Sequence, residues 1–283
     1  MKRAYRIVNV FTRNGARLSG NPLCVFEDGS GLSDADMLAL ALQFNLSETS
    51  FILPASAAKA TARVRIFTPA MELPFAGHPT LGTAHVVRDL LAAGDHVWLE
   101  MASGVIPVSA AGDRWTLQAK PSVTRAFDDT QTAALAAALG VLPGDFAAAP
   151  LWVNAGMEQL LVPLAAAESV CRASPGAGLG SFANASGKVS VYCFSPLAAP
   201  EMLVRFFFTK NAGSVAEDPA TGSACANLGG YVLAVNAPLP LTRVLHQGAQ
   251  VGRPSILTLE VDATRAIRVS GEVIELCRGT IDL

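Results

Sequence analysis

Short apolar or alternating runs recur along the whole chain, and most are too short for helices. Segments 5–11, 23–26, 49–53, 62–67, 97–101, 105–110 and 115–119 are rich in Val, Ile, Phe or Thr and bounded by Gly, Pro, Asn or Asp. So are 159–162, 189–194, 202–208, 243–247, 255–261, 266–270 and 272–276. That pattern predicts strands. Few helices interrupt them. Ser33-Asp34-Ala35-Asp36 has capping-box form, and Met37, Leu38, Ala41 and Leu42 supply an apolar stripe behind it. Further helices are predicted over 79–91, 130–139, 164–172 and 222–235.

Because strands mostly follow strands, strict βα alternation and a doubly wound parallel sheet are excluded, and an α+β fold is predicted. The two most apolar helices follow similar strands. Gly77-His78-Pro79-Thr80-Leu81-Gly82 comes after a strand ending Phe67-Thr68, and Thr221-Gly222-Ser223-Ala224-Cys225 after one ending Phe208-Thr209. These Phe-Thr pairs stand half a chain apart, which suggests two halves of similar fold, each wrapping a curved sheet around a small-residue helix. The N-terminal lobe is expected over 1–119, with a last strand near 272–283 returning to it. A linker is expected over 120–126 and the C-terminal lobe over 127–271, where 173–180 reads as a Gly/Pro/Ser-rich surface loop.

Composition narrows the function classes. With 51% apolar and 16% charged residues, the 283-residue chain can bury a sizeable core. Its 21 Lys+Arg against 23 Asp+Glu, with no long basic run, give no electrostatic footprint for nucleic acid or an anionic membrane. No apolar run reaches the roughly 18–20 residues of a membrane span, since 133–149 is broken by Gly140, Pro143, Gly144 and Asp145. The N-terminus alternates like a strand instead of offering a secretory apolar region. Five scattered cysteines without CxxC spacing signal neither a disulfide framework nor zinc, and a reducing cytoplasm is expected.

Each special helix opens with a Gly beside small hydroxyl residues, which leaves first-turn N–H groups uncovered where the helix dipole is positive. Such ends suit a carboxylate or phosphate, although Gly222 and Ser223 equally suit close packing. Titratable residues in apolar surroundings stand nearby: His78 in LPFAGHPTLG, Asp218 in VAEDPATGSA and Glu48 in NLSETSFI. A carboxyl held among apolar groups is fitted to take and return a proton. Each also fits a structural role: Glu48 as a capping partner of Asn45, Asp218 as a turn or cap residue, and His78 as a donor to a nearby carbonyl. His85 has no carboxylate at metal-ligand spacing, and His246 reads as structural. Cys24 in a strand and Cys225 in a helix read as small hydrophobes. Without GxSxG, GxxxxGK[ST], HExxH or a strand-borne GxGxxG, no nucleotide or metal cofactor is called for.

Five ordered motifs then combine: Asn21-Pro22 with Cys24-Val25-Phe26; Asn45-Leu46-Ser47-Glu48-Thr49; Phe75-Ala76-Gly77-His78-Pro79; Glu217-Asp218-Pro219-Ala220-Thr221-Gly222-Ser223; and Gln247-Gly248 with Gly252-Arg253-Pro254. The sequence resembles the phenazine-biosynthesis PhzF family over nearly its whole length. The resemblance implies the diaminopimelate epimerase-like fold, with two pseudo-symmetric lobes, each a curved sheet around a central helix, and an active site between them. Epimerase relatives use two cysteines at the helix mouths; here neither stretch has one, so two-thiol racemisation is not expected. Implied instead is cofactor-free isomerisation of a small unsaturated amino or carboxylic acid, with Glu48 moving the proton. By the same resemblance His78 and Asp218 line the pocket, and Ser223 with the Gly77 and Gly222 amides grips the substrate carboxylate, flanked by Ser47 and Thr221. Founding members isomerise trans-2,3-dihydro-3-hydroxyanthranilate. Family resemblance and symmetry statistics favour a homodimer. The alternatives are an amino- or hydroxy-acid racemase using Glu48 with Asp218 or His78, and a metabolite-binding protein without turnover.

Overall fold

A computed structural model describes residues 2–210 and 214–283. In chain order its elements are β1 (Lys2–Val10), β2 (Asn21–Phe26), α1 (Asp34–Phe44), β3 (Glu48–Leu53), β4 (Ala62–Phe67), β5 (Glu72–Leu73), α2 (Gly77–Leu91), β6 (His96–Met101), β7 (Gly104–Ala111) and β8 (Arg114–Gln118). Then follow β9 (Val123–Ala126), α3 (Thr132–Leu139), β10 (Leu151–Asn154), β11 (Glu158–Pro163), α4 (Ala167–Arg172), β12 (Ser190–Pro196), β13 (Glu201–Thr209) and β14 (Val215–Asp218). The last are α5 (Gly222–Ala234), β15 (Leu241–Gln247), β16 (Ser255–Val261) and β17 (Ile267–Asp282). The fold is mixed α+β and mostly strand, as the pattern predicts.

Two units partition the chain: Met1–Gln118 with Ser270–Leu283, and Ala119–Val269. The second boundary falls inside β17, because the runs predicted at 266–270 and 272–276 are one continuous strand. Residues 120–126 are not a free linker. Val123–Ala126 form β9, which pairs antiparallel with β10, for instance Arg125 opposite Trp152. All four β9 residues are exposed, so no apolar pattern marked them.

In the first unit β1 pairs with β17 and β2, and β2 runs parallel to β3. From β3 the ladder passes through β4, β6 and β7 to β8, and β8 meets β17, closing the circuit. α2 is packed so tightly on this sheet that a Cβ at Gly82 would lie 2.7 Å from Leu23 and 2.9 Å from Val10. Only a glycine permits that approach. In the second unit β9, β10, β11, β12 and β13 form one ladder, β13 pairs with β14 and β15, and β15 with β16. α5 packs in the corresponding way: a Cβ at Gly229 would meet Ile267 at 2.7 Å. Among the described residues no helix is long and apolar enough to cross a membrane.

Candidate active site

Local signals place Glu48 at the first position of β3. The predicted capping box of α1 forms, Ser33 accepting from the Asp36 N–H while the Asp36 carboxylate accepts from Ser33. Its other end stops at Asn45, which adopts the left-handed conformation (φ 51°) that asparagine tolerates. Asn45 is thus a C-cap and Glu48 is not its capping partner. The chain turns through an exposed Ser47 and enters β3, where Glu48 lies opposite Leu23 of β2. The Glu48 side chain is only 17% exposed.

α2 begins at Gly77, and its N-cap Ala76 offers no side-chain cap. His78, in the first turn, is buried, and its Nε2 lies 3.4 Å from Glu48 Oε2. Burial pushes the imidazole pKa down to about 3, against a smaller opposing effect of a hydrogen bond to the Pro22 backbone. The ring is therefore neutral at physiological pH. One ring nitrogen donates to the Pro22 carbonyl, and Nε2, which has no hydrogen-bond partner among the described residues, carries the lone pair. An acceptor, not a cation, faces the Glu48 carboxyl. The carbonyl donor role read for His78 and its place beside Glu48 thus coexist.

In the second unit strand alternation separates two neighbouring acids on β14. Glu217 turns to Arg205, with bonds of 3.1 and 2.6 Å, and both side chains are 8% exposed. Asp218 ends the strand on the opposite face and accepts the Thr221 hydroxyl proton at 2.5 Å. Thr221, not Asp218, is the N-cap of α5, and its hydroxyl, which donates to Asp218 and accepts from Gln247, makes no side-chain cap bond. Gln247 locks this turn. Its Nε2 donates to Thr221 Oγ1 (3.0 Å) and the Asp218 carbonyl (2.9 Å), while its Oε1 accepts from the Thr221 N–H (3.3 Å). Gly248 follows in the left-handed conformation (φ 78°), and a Cβ there would lie 2.4 Å from the Pro219 oxygen. That close approach is why Gln247-Gly248 accompanies the Glu-Asp-Pro motif. Gly222 opens α5, and Ser223 accepts from Gln159 Nε2 at 3.0 Å.

The first unit thus gathers Glu48, His78 and Gly77, with Ser47 beside them on the surface; the second gathers Asp218, Thr221, Gly222 and Ser223. The pattern missed Gln159, Asn227 and the bonding role of Gln247. For Asn227 the signal is an uncharged amide inside an otherwise apolar run, which a buried position has to satisfy; Gln159 beside Glu158 and Gln247 beside His246 carry no such mark. His85 accepts from Trp115 Nε1 at 3.3 Å, and His246 pairs with Glu201 across β13 and β15. Burial pushes the Cys24 and Cys225 thiols well above their ordinary range, so neither is a thiolate near neutrality. A cleft of about 300 Å³ elsewhere in the first unit is lined by Arg65 and Glu72, which pair with each other, and by Glu100, held by Ser56 and Ala57.

Comparison with known proteins gives a coherent result. The family model described as phenazine biosynthesis-like protein (PhzC-PhzF) matches residues 8–279. A protein of Pasteurella multocida named as an uncharacterised isomerase is 36% identical over 280 residues, covering 98% of this chain and 93% of its own. The trans-2,3-dihydro-3-hydroxyanthranilate isomerase of Pseudomonas chlororaphis is 32% identical over 299 residues, covering 99% of each chain. A solved predicted epimerase from Pseudomonas aeruginosa superposes with a TM-score of 0.83 at 32% identity, again covering 99% of each chain.

Proposed function

The chain belongs to the PhzF family of isomerases, and from that premise we propose that it moves a proton between two carbons of a small unsaturated amino or carboxylic acid, with Glu48 as carrier. The observation that carries this reading is Glu48 at the mouth of β3, with the Nε2 of a buried, neutral His78 3.4 Å away. A neutral imidazole makes this contact with the carboxyl a neutral one and not an ion pair.

In the proposed step Glu48 takes a proton from an sp³ carbon, and the C–H bonding pair forms a new π bond to the neighbouring sp² carbon, displacing the π pair already there. The displaced π electrons reach a second carbon, which takes the same proton back from Glu48. One C–H bond breaks and one forms, and neither oxidant nor reductant is required. Charge developing during the shift is stabilised where the substrate carboxylate is held. The candidates for that role are the Ser223 hydroxyl with the Gly222 end of α5 and, separately, the Gly77 end of α2; neither helix has a side-chain cap. Asp218, fixed by Thr221, orients the substrate through its amino or hydroxyl group.

The test is ultraviolet-monitored turnover of trans-2,3-dihydro-3-hydroxyanthranilate, the substrate in the name of the Pseudomonas chlororaphis relative, in deuterated buffer. Wild type is compared with Glu48→Gln, and product deuterium is read by mass spectrometry. Turnover lost in the variant supports the reading; an absorbance change that survives Glu48→Gln overturns it. Exchange of an α-proton without absorbance change marks a racemase instead.

A further inference from the structure

Ser223 and Asn227 are one turn apart on α5 and share a face. Asn227 is 1% exposed and Gln159, on β11, is fully buried. Two backbone groups fix the Asn227 amide. The Ala155 N–H donates to its Oδ1 at 2.7 Å, and its Nδ2 donates to the Met157 carbonyl at 2.9 Å. An N–H only donates and a carbonyl only accepts, so the amide has a single orientation.

That orientation propagates. Asn227 Nδ2 also donates to Gln159 Oε1 at 2.7 Å, which turns the Gln159 amide nitrogen toward Ser223 Oγ at 3.0 Å. An amide nitrogen has no lone pair with which to accept, so the Ser223 oxygen is the acceptor of this bond. Its single proton must point elsewhere. Ser223 is half-buried, and among the described residues its hydroxyl donates to no protein group.

We propose that Gln159 and Asn227 are positioning residues that hold the Ser223 hydroxyl as an outward hydrogen-bond donor to the substrate carboxylate. This rests on the reading above that the first turn of α5 takes a carboxylate. A free serine rotor divides its time among several orientations, including one donated back into the protein. The relay removes that inward orientation before substrate arrives, so the charge-assisted bond forms with less ordering cost. The relay is neutral throughout, and its contribution does not titrate near neutrality.

The experiment is calorimetric binding of anthranilate, a stable aromatic amino acid carrying the carboxylate, to wild type, Ser223→Ala, Gln159→Leu and the double variant. Ser223→Ala is expected to weaken binding about tenfold, as loss of one bond to a charged group does. Gln159→Leu is expected to weaken it several-fold, with no further loss in the Ser223→Ala background. Gln159→Glu, which presents only acceptors and draws the Ser223 proton inward, is expected to match or exceed Ser223→Ala. Equal loss from Gln159→Leu in both backgrounds, or none beside an intact Ser223, overturns the proposal. So does failure of wild type to bind anthranilate. Should the Gln159 variants not fold, neutron diffraction from the wild-type protein decides: a Ser223 deuteron directed away from Gln159 supports the relay, and one directed at it overturns the relay. Turnover is scored separately. A coupled cycle in a protein without isomerase turnover overturns the reaction alone, whereas turnover with uncoupled variants overturns the relay alone.

Discussion

His78 Nε2 and Glu48 Oε2 lie 3.4 Å apart, and because the imidazole is buried and neutral the contact is not an ion pair. Three sequence motifs meet there. Asn21-Pro22 supplies the backbone that takes the imidazole proton, Gly77-His78-Pro79 supplies the ring at the mouth of α2, and Ser47-Glu48-Thr49 supplies the carboxyl. The arrangement uses burial, which disfavours charge on the ring, to set an acceptor beside the acid.

Stability should report that burial directly. The folded pKa of His78 is near 3 and its ordinary value 6.5, so between these pH values the unfolded chain binds a proton that the native protein does not. Stability therefore rises with pH across this window and is lost as pH falls below about 6.5. Fully developed, the effect is roughly 5 kcal/mol. Denaturant melts of wild type and His78→Gln between pH 7 and pH 4 should show the wild type losing more stability on acidification. Parallel curves would refute it.

Removal of the Glu48 carboxylate should act on rate and not on fold. Glu48→Gln keeps the shape of a side chain at a strand end and is expected to leave the melting temperature within a few degrees of wild type. The expected fall in kcat is about 10²–10⁴-fold, as for loss of a general acid–base group. Glu48→Asp, which keeps the acid but withdraws it by one methylene, should retain more activity than Glu48→Gln. Equal activity of the two variants would remove the carboxylate from the chemistry.

The Thr221 hydroxyl links the Asp218 carboxylate to the Gln247 side chain, donating to the one and accepting from the other. Thr221→Val should leave the Asp218 acceptor and a Gln247 donor without their shared partner, at a cost of about 1–3 kcal/mol. Thr221→Ser, which keeps the oxygen, should recover most of this. If the fixed Asp218 orients substrate, Thr221→Val also lowers kcat/KM while Thr221→Ser restores it, a rescue that steady-state kinetics beside thermal melts will show.

The two central helices predict a steric pair. Gly82→Ala and Gly229→Ala each drive a Cβ to 2.7 Å from a packed side chain, Leu23 and Ile267 respectively, with a further neighbour at 2.9 Å (Val10) and 3.1 Å (Leu259). Each is expected to destabilise by about 1–3 kcal/mol through overpacking. Gly144→Ala, where an added Cβ meets nothing within 4 Å, is the neutral control. Chemical denaturation of the three variants tests the ordering.

The longer elements were legible because burial imprints a period on the sequence. The capping box at Ser33, the apolar stripe of α1 and the small-residue helices α2 and α5 all follow from local rules, and each forms near its expected bounds. The short strands did not show. β9 is exposed throughout, and β14 spans four half-buried residues whose pairing with β13 is made by the partner strand, not by their own pattern. At the site, Glu48, His78 and Asp218 stood out as titratable side chains in apolar company. Gln159 and Asn227 did not, because an amide in the sequence marks a buried polar position at most, and the direction of its hydrogen bonds is set by the fold. Gln247 was visible as a motif, but its three bonds to the Asp218–Thr221 turn depend on β15 lying next to it, a tertiary fact.

Arg205 offers the strongest test of what holds that turn's strand in place. Its guanidinium forks onto Glu217 of β14 and also donates to the carbonyls of Val170, Cys171 and Ala173 at the end of α4, groups that a helix leaves without intrahelical partners. Arg205→Met strands a carboxylate that is 8% exposed and is expected to cost about 3–5 kcal/mol. If the ion pair were the whole role, Arg205→Met with Glu217→Leu would recover nearly all of it, since a buried pair is often replaceable by apolar residues. The α4 carbonyls predict otherwise. The double variant should regain only part of the loss, and hydrogen exchange should show reduced protection in the last turn of α4, with β14 less affected. Full recovery in the double variant, with α4 protection unchanged, would assign Arg205 to the ion pair alone.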